Sequence, residues 1–214
     1  MSQKSPQTPA QVRYGKDDVE IVSTKPLYQG FFKMVSYTFK HKLFSGGWSE
    51  TLNREMFERG HAAVLLPYDP CTDQVVLVEQ FRIGALAADC EPWQLEMVAG
   101  MIEDGESAEE VARREAQEEA GIDVHQVEKI TRYLSSSGGC SESLDVFAGC
   151  VDSTLASGVH GLEEEGEDIR VHVVSREQAY AWVESGKIEN AASIIALQWL
   201  QLNYLRLQRQ WGED

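Results

Sequence analysis

Three features of the sequence predict an α/β (α+β) sandwich. Apolar runs of strand length recur along the chain, helices with capping signals lie between them, and no apolar run approaches a membrane span. Hydrophobic residues make up 43% of the 214 positions, enough to bury a core in one generous domain or one domain with a small appendage. Residues 1–16 are polar, lack a secretory apolar segment and read as a loose arm. From Phe31 to Leu43 the odd positions Phe31, Val35, Tyr37, Phe39 and Leu43 are apolar and the even ones mostly polar, which is strand alternation. Gly46-Gly47 signals a turn, and a polar strand or turn follows through Arg54. Residues 1–57 are thus expected to form an arm and a small β-rich N-terminal unit, with the main domain at 58–214.

In the main domain, His61–Leu66 and Val75–Glu79 are short apolar strands separated by a hairpin-like turn, and Trp93–Val98 reads as another. Ser107 with Glu110 forms a capping box that opens a helix, and Gly121 is placed as its left-handed C-terminal cap. Strands are expected at Val127–Leu134, Leu144–Val151 and Ile169–Val174. A second box, Ser175-x-x-Gln178, starts a helix that stops near Gly186. A last helix from Ala191 to near Arg209 is expected to bury Ile194, Ile195, Leu197, Trp199, Leu202 and Leu205.

Composition narrows the function. Duplex binding needs a basic footprint, and the net charge is −16. With no span and no signal, the expectation is a cytoplasmic protein with neither nucleic-acid nor membrane partners. Cys71, Cys90, Cys140 and Cys150 form no CxxC pair and are read as reduced thiols. An acidic chain can still bind a phosphate ligand, but it must do so through divalent cations or placed arginines.

The segment Gly100–Ile122, GMIEDGESAEEVARREAQEEAGI, carries the chemistry. A strand ends, a loop with two glycines turns, and a capped helix presents Arg114, Glu115, Glu118 and Glu119. Glu115 and Glu119 are i,i+4 and share a face; their repulsion is relieved by a hard cation such as Mg²⁺. Arg114 can pair with Glu118 at the same spacing. The loop is no P-loop, since Gly105 precedes Glu106-Ser107 where that motif needs Lys. There is no HExxH and no G-x-S-x-G.

The segment resembles the Nudix box, G-x5-E-x7-R-E-U-x-E-E-x-G-U with U a bulky aliphatic residue. Gly100, Glu106, Arg114, Glu115, Glu118, Glu119, Gly121 and Ile122 fall on it, and only Ala116 is smaller than usual. Arg54-Glu55, FERGHAAVLLPYDP, Gln80-Phe81-Arg82 and the stretch from Gly166 to Leu202 extend the resemblance to the bacterial ADP-ribose pyrophosphatase branch. The resemblance implies a Nudix α/β/α sandwich with a mixed sheet. It implies hydrolysis of ADP-ribose to AMP and ribose 5-phosphate by two or three Mg²⁺ ions, with Mn²⁺ as a substitute. Carried over, the metal ligands are the Ala99 carbonyl, Glu115, Glu119 and Glu167, with Glu118 auxiliary. Glu165 is the expected general base, on the acidic loop Gly161–Ile169. Gly100, Glu106, Arg114 and Gly121 are structural. Phe31 stacks on the base, Arg82 meets base or phosphate, and Met101 and Glu142 line the ribose-phosphate side. Arg54, Glu55 and Arg59 complete the adenosine pocket from the partner in a homodimer whose N-terminal units (1–57) exchange.

Two departures bear on substrate. Enzymes of the branch carry a proline where this chain has Ser137, and commonly a threonine where it has Cys140. Ser137 keeps open another nucleoside-diphosphate sugar as substrate. A more distant alternative is a non-catalytic ADP-ribose sensor, although every box carboxylate is retained.

Overall fold

The computed structural model describes residues 13–212, apart from the Glu165 side chain. The described residues fall into two compact units. One runs to Arg59 and includes Gly138–Ser141, and the other holds Gly60–Ser137 and the chain from Glu142 onward.

The N-terminal unit is an antiparallel sheet of β1 (Val19–Gln29), β2 (Lys33–His41) and β3 (Leu52–Glu58) in that order. The strand expected from Phe31 begins at Lys33, because Gly30–Phe32 makes the bend between β1 and β2. β1 escapes sequence reading for a physical reason. All eleven of its residues are exposed, so no buried face imposes alternation on VEIVSTKPLYQ.

The larger unit is built on β4 (Ala62–Asp69), buried at all eight positions, and β5 (Gln74–Phe81). They pair only at Tyr68–Val75 and Asp69–Gln74, next to the turn, and then separate. The gap is filled by the stretch expected as one strand. It is two: β6 (Trp93–Glu96) pairs with β5, and β7 (Val98–Met101) pairs with β4. Met97 is the crossover, and its buried side chain explains why the run reads as continuous. A five-residue helix, α1 (Ile83–Ala87), precedes β6 and was not expected; it buries nothing and so leaves no periodic signal. After α2 (Ala108–Ala120) come β8 (Val127–Leu134), β9 (Ser143–Cys150), β10 (Val159–His160) and β11 (Ile169–Ser175). The sheet order is β10-β11-β5-β4-β9-β8. Only β4–β9 among these pairs is parallel, so the sheet is mixed.

Helices cover both sheet faces. On one, α2 buries Val111, Ala112, Ala116 and Ala120 against Val76, Val78, Ile169 and Val171. On the other, α3 (Arg176–Glu184) and α4 (Ala191–Trp211) pack on Leu66, Tyr68, Leu77 and Val146. This is the α/β/α sandwich expected. The α4 face needs correction: Ser193, Ala196, Leu197, Leu200, Leu207 and Trp211 are buried, whereas Leu202 and Leu205 are exposed. Successive residues advance about 100°, and this turns Leu202 and Leu205 away from the stripe set by Leu197 and Leu200. No described helix is long and apolar enough to cross a membrane.

Candidate active site

The box helix α2 is fixed at both ends by its own sequence. Ser107 Oγ accepts from the Glu110 N–H at 3.3 Å, and Glu110 Oε2 accepts from the Ser107 N–H at 3.0 Å. Gly121 ends the helix at φ 64°, ψ 28°, a left-handed conformation that a side chain would strain.

Between these ends Arg114 gathers three carboxylates. Its Nη1 lies 2.9 Å from Glu115 Oε1 and 3.0 Å from Glu118 Oε2, and its Nε is 3.5 Å from Glu106 Oε1. Glu106 also accepts from the Glu103 N–H at 3.0 Å, which ties the loop to the helix. Gly100 is glycine for steric reasons, since a Cβ there would overlap the Glu115 carboxylate. One residue earlier, the Ala99 N–H donates to Glu119 Oε2 at 3.0 Å.

The electrostatics of this edge are unfavourable by design of the sequence. Glu119 is 2% exposed, and burial pushes its carboxyl up to about 8; the Ala99 N–H opposes that rise, and Glu115 and Glu167 add to it. Burial also raises Glu115, against Arg114, with Glu118 and Glu167 pushing further up. The Glu167 charge thus acts on both box carboxylates. Divalent cations are the ordinary remedy for hard oxygen donors that repel one another, so the residues fit Mg²⁺. They are neighbours rather than a finished cage, since no three such groups among the described residues meet at ligating distance.

The acidic loop is tethered to the box helix. The Gly161 N–H donates to Glu118 O at 3.3 Å, a short 3-10 turn spans Glu163–Glu165, and Gly166 is left-handed. Glu167 closes the loop on itself, accepting from the Leu162 N–H at 3.0 Å while its own N–H donates to Leu162 O at 3.2 Å. The Glu165 backbone lies in the 3-10 turn, and its side chain, the expected base, lies outside the described residues.

The other expected residues divide between the two units. In the larger one, Arg82 follows β5 and is ion-paired to Glu96 at 2.9 Å, Met101 ends β7, and Glu142 is buried just before β9. In the N-terminal unit, Phe31 is 85% exposed and packs edge-to-face on Phe32, with ring centroids 4.8 Å apart. Arg59 lies over the Phe32 ring at 5.3 Å, and Arg54 and Glu55 are exposed on β3 opposite Tyr37 and Ser36. Ser137 lies in the turn after β8 and Cys140 bridges to Phe57. Sequence reading missed Glu96. The only hint was one acid inside the apolar run WQLEMVAG.

Comparison with known proteins agrees with this geometry. The model of the NUDIX domain matches residues 58–202. An ADP-ribose pyrophosphatase of Escherichia coli (strain K12) is 60% identical over 94% of this chain and 96% of its own. A GDP-mannose pyrophosphatase of Pectobacterium atrosepticum is 35% identical over 84% and 92%. A solved structure of an ADP compounds hydrolase shares the fold, with a TM-score of 0.68 at 17% identity, covering 93% of this chain and 99% of that one. With the box carboxylates gathered on α2 and the match spanning most of the larger unit, the chain belongs to the NUDIX domain family.

Proposed function

We propose that the protein hydrolyses the pyrophosphate bond of ADP-ribose to AMP and ribose 5-phosphate, in the cytoplasm, as a homodimer with exchanged N-terminal units (1–57). The observation that carries this reading is the group of repelling carboxylates at the Ala99-Gly100 edge, Glu119 buried and Glu115 half-buried, in a chain so similar to a named ADP-ribose pyrophosphatase. Nudix hydrolases generally use divalent metals. Here the Ala99 carbonyl, Glu115, Glu119 and Glu167, with Glu118 in support, would hold about two or three Mg²⁺. Bound there, the cations neutralise the pyrophosphate and make water a better nucleophile at neutral pH.

The chain's own residues do the rest. Glu165 takes the proton of the attacking water, from a loop anchored at Gly161. Arg114 keeps Glu115 and Glu118 aligned, and Arg82 offers its guanidinium to a phosphate oxygen. Met101 and Glu142 line the ribose-phosphate side. Phe31 stacks on adenine, and Arg54, Glu55 and Arg59 of the partner subunit complete the adenosine pocket. A second reading, the same chemistry on another nucleoside-diphosphate sugar, is favoured by Ser137 in place of the branch's proline.

The test is AMP release from ADP-ribose, NADH and diadenosine polyphosphates, and mannose 1-phosphate release from GDP-mannose, with Mg²⁺ present or chelated. Mg²⁺-dependent turnover led by ADP-ribose is expected, with Glu115→Gln lowering it by more than about a hundredfold. Leadership by GDP-mannose would transfer the assignment to the second reading.

A further inference from the structure

We propose that Glu96 is the positioning residue for Arg82, gripping one edge of the guanidinium so that the other edge is presented to the substrate's phosphate. The inference rests on the reading above in taking Arg82 as a phosphate contact. Its basis is the pleat of β6. Leu95 and Met97 enter the core beneath α4, so strand alternation sends Glu96 to the opposite face, the one α2 covers. There its side chain is only 15% exposed. A carboxylate so far removed from water needs a partner of opposite charge.

That partner is Arg82, the residue directly after β5. Arg82 Nε and Nη2 each lie 2.9 Å from the same oxygen, Glu96 Oε2. One carboxylate oxygen thus occupies the Nε–Nη2 edge, and the guanidinium makes no other hydrogen bond among the described residues. Burial pushes the Glu96 carboxyl up and Arg82 opposes that rise, as it does at Glu119, so its charge is felt on both sides, at the box and at β6. Gln80 shares the face of Glu96, 7% exposed, and its amide favours the Glu96 charge. Yet Gln80 Nε2 completes no hydrogen bond of ordinary geometry among the described residues, which leaves Arg82 as the strong restraint on Glu96. The restraint is reciprocal. Arg82 is 44% exposed, and without Glu96 a long side chain of many rotamers would search for the phosphate rather than await it.

A double-mutant cycle on Mg²⁺-supported hydrolysis separates positioning from mere ion pairing. Glu96→Gln is expected to raise KM about tenfold and to leave kcat within about twofold, the mark of lost uniform binding. Arg82→Ala raises KM further, and the double variant is no worse than Arg82→Ala alone. Arg82→Lys keeps the charge without the fork and falls near Arg82→Ala. Melting temperatures, measured alongside, stay close to wild type for Glu96→Gln and for the double variant, since Gln is isosteric with Glu, whereas Arg82→Ala alone strands the Glu96 carboxylate and lowers Tm. Effects of the two single changes that multiply, or a Glu96→Gln defect in stability and kcat with KM unchanged, would overturn the proposal in favour of a plain structural pair. If the wild type turns over a different nucleoside-diphosphate sugar, the ADP-ribose reading fails, and the same cycle on that compound still decides the role of Glu96.

Discussion

Two buried carboxylates of the larger unit behave in opposite ways. Asp69, at the end of β4, is 4% exposed; Glu119, in the box helix, is 2% exposed. Asp69 accepts from the N–H groups of Cys71, Thr72 and Ser153 at 2.9, 3.2 and 3.1 Å, and from Ser153 Oγ at 2.7 Å. Burial alone would push its carboxyl up, but these donors prevail and hold it below the ordinary value. Burial raises Glu119 to about 8; the Ala99 N–H and the Arg82 charge oppose that rise, and Glu115 and Glu167 add to it. Burial therefore does not decide how a carboxylate ionises; the donors that accompany it do. Asp69 is complete as protein. On the proposed reading, a bound cation would supply what the protein leaves out at Glu119.

The largest test of that contrast is Glu119→Gln. The amide keeps an acceptor for the Ala99 N–H and removes the buried charge. Hydrolysis is expected to fall by more than about a hundredfold. In EDTA at about pH 9, where the wild-type carboxylate is charged, the variant should instead be more stable by about 2 kcal/mol, or roughly 4–8 °C in Tm. Thermal unfolding with and without Mg²⁺ reads both arms, and a less stable metal-free variant would refute the contrast. On the proposed reading, activity and stability are opposed here because a cation would complete the site.

Asp69→Asn should do the reverse, leaving turnover per folded molecule unchanged and costing about 2 kcal/mol in urea unfolding. The sign with pH follows from linkage. Folding lowers the Asp69 pKa below its ordinary 3.8, so the unfolded chain binds more protons near that pH. Its contribution is present above 3.8 and disappears as pH falls through the lower folded value. The gap between wild type and Asp69→Asn should accordingly close in acid. A gap independent of pH would mean that the substitution acts by geometry rather than by charge.

The sequence made one of these two sites legible and hid the other, and the reason is range. The box helix is written locally: its cap, its clamp Arg114, its carboxylates and Gly121 all lie within the segment Gly100–Ile122, so helical periodicity brings them together on paper. Asp69 depends on Ser153, 84 positions away, and Glu96 is understood only once β6 and β7 are seen to leave one another at Met97. The same limit explains Leu202 and Leu205, whose hydrophobicity says nothing about which side of α4 meets the sheet. Gly100 is intermediate. Its place in the box is visible in sequence, but the collision with Glu115 that requires glycine is a tertiary fact.

Removing a single donor from Asp69 gives the smallest and most discriminating effect. Ser153→Ala takes away the Oγ at 2.7 Å and leaves the backbone N–H at 3.1 Å in place. It should cost about 1 kcal/mol, roughly half the effect of Asp69→Asn. The Asp69 pKa should also rise toward its ordinary value, since the Ser153 side chain is the strongest of the influences lowering it. Acid unfolding of the variant would then begin at a higher pH than in wild type, a shift measurable by fluorescence across a pH series. Ser153 Oγ also lies 3.0 Å from Gln74 Oε1 and 3.2 Å from Thr72 Oγ1, so a neutral network is the competing source of its stability. That network would make Ser153→Ala equally costly at all pH values. Donation to Asp69 makes the cost vanish in acid, and it would place Asp69 part of the way toward the condition in which Glu119 already stands.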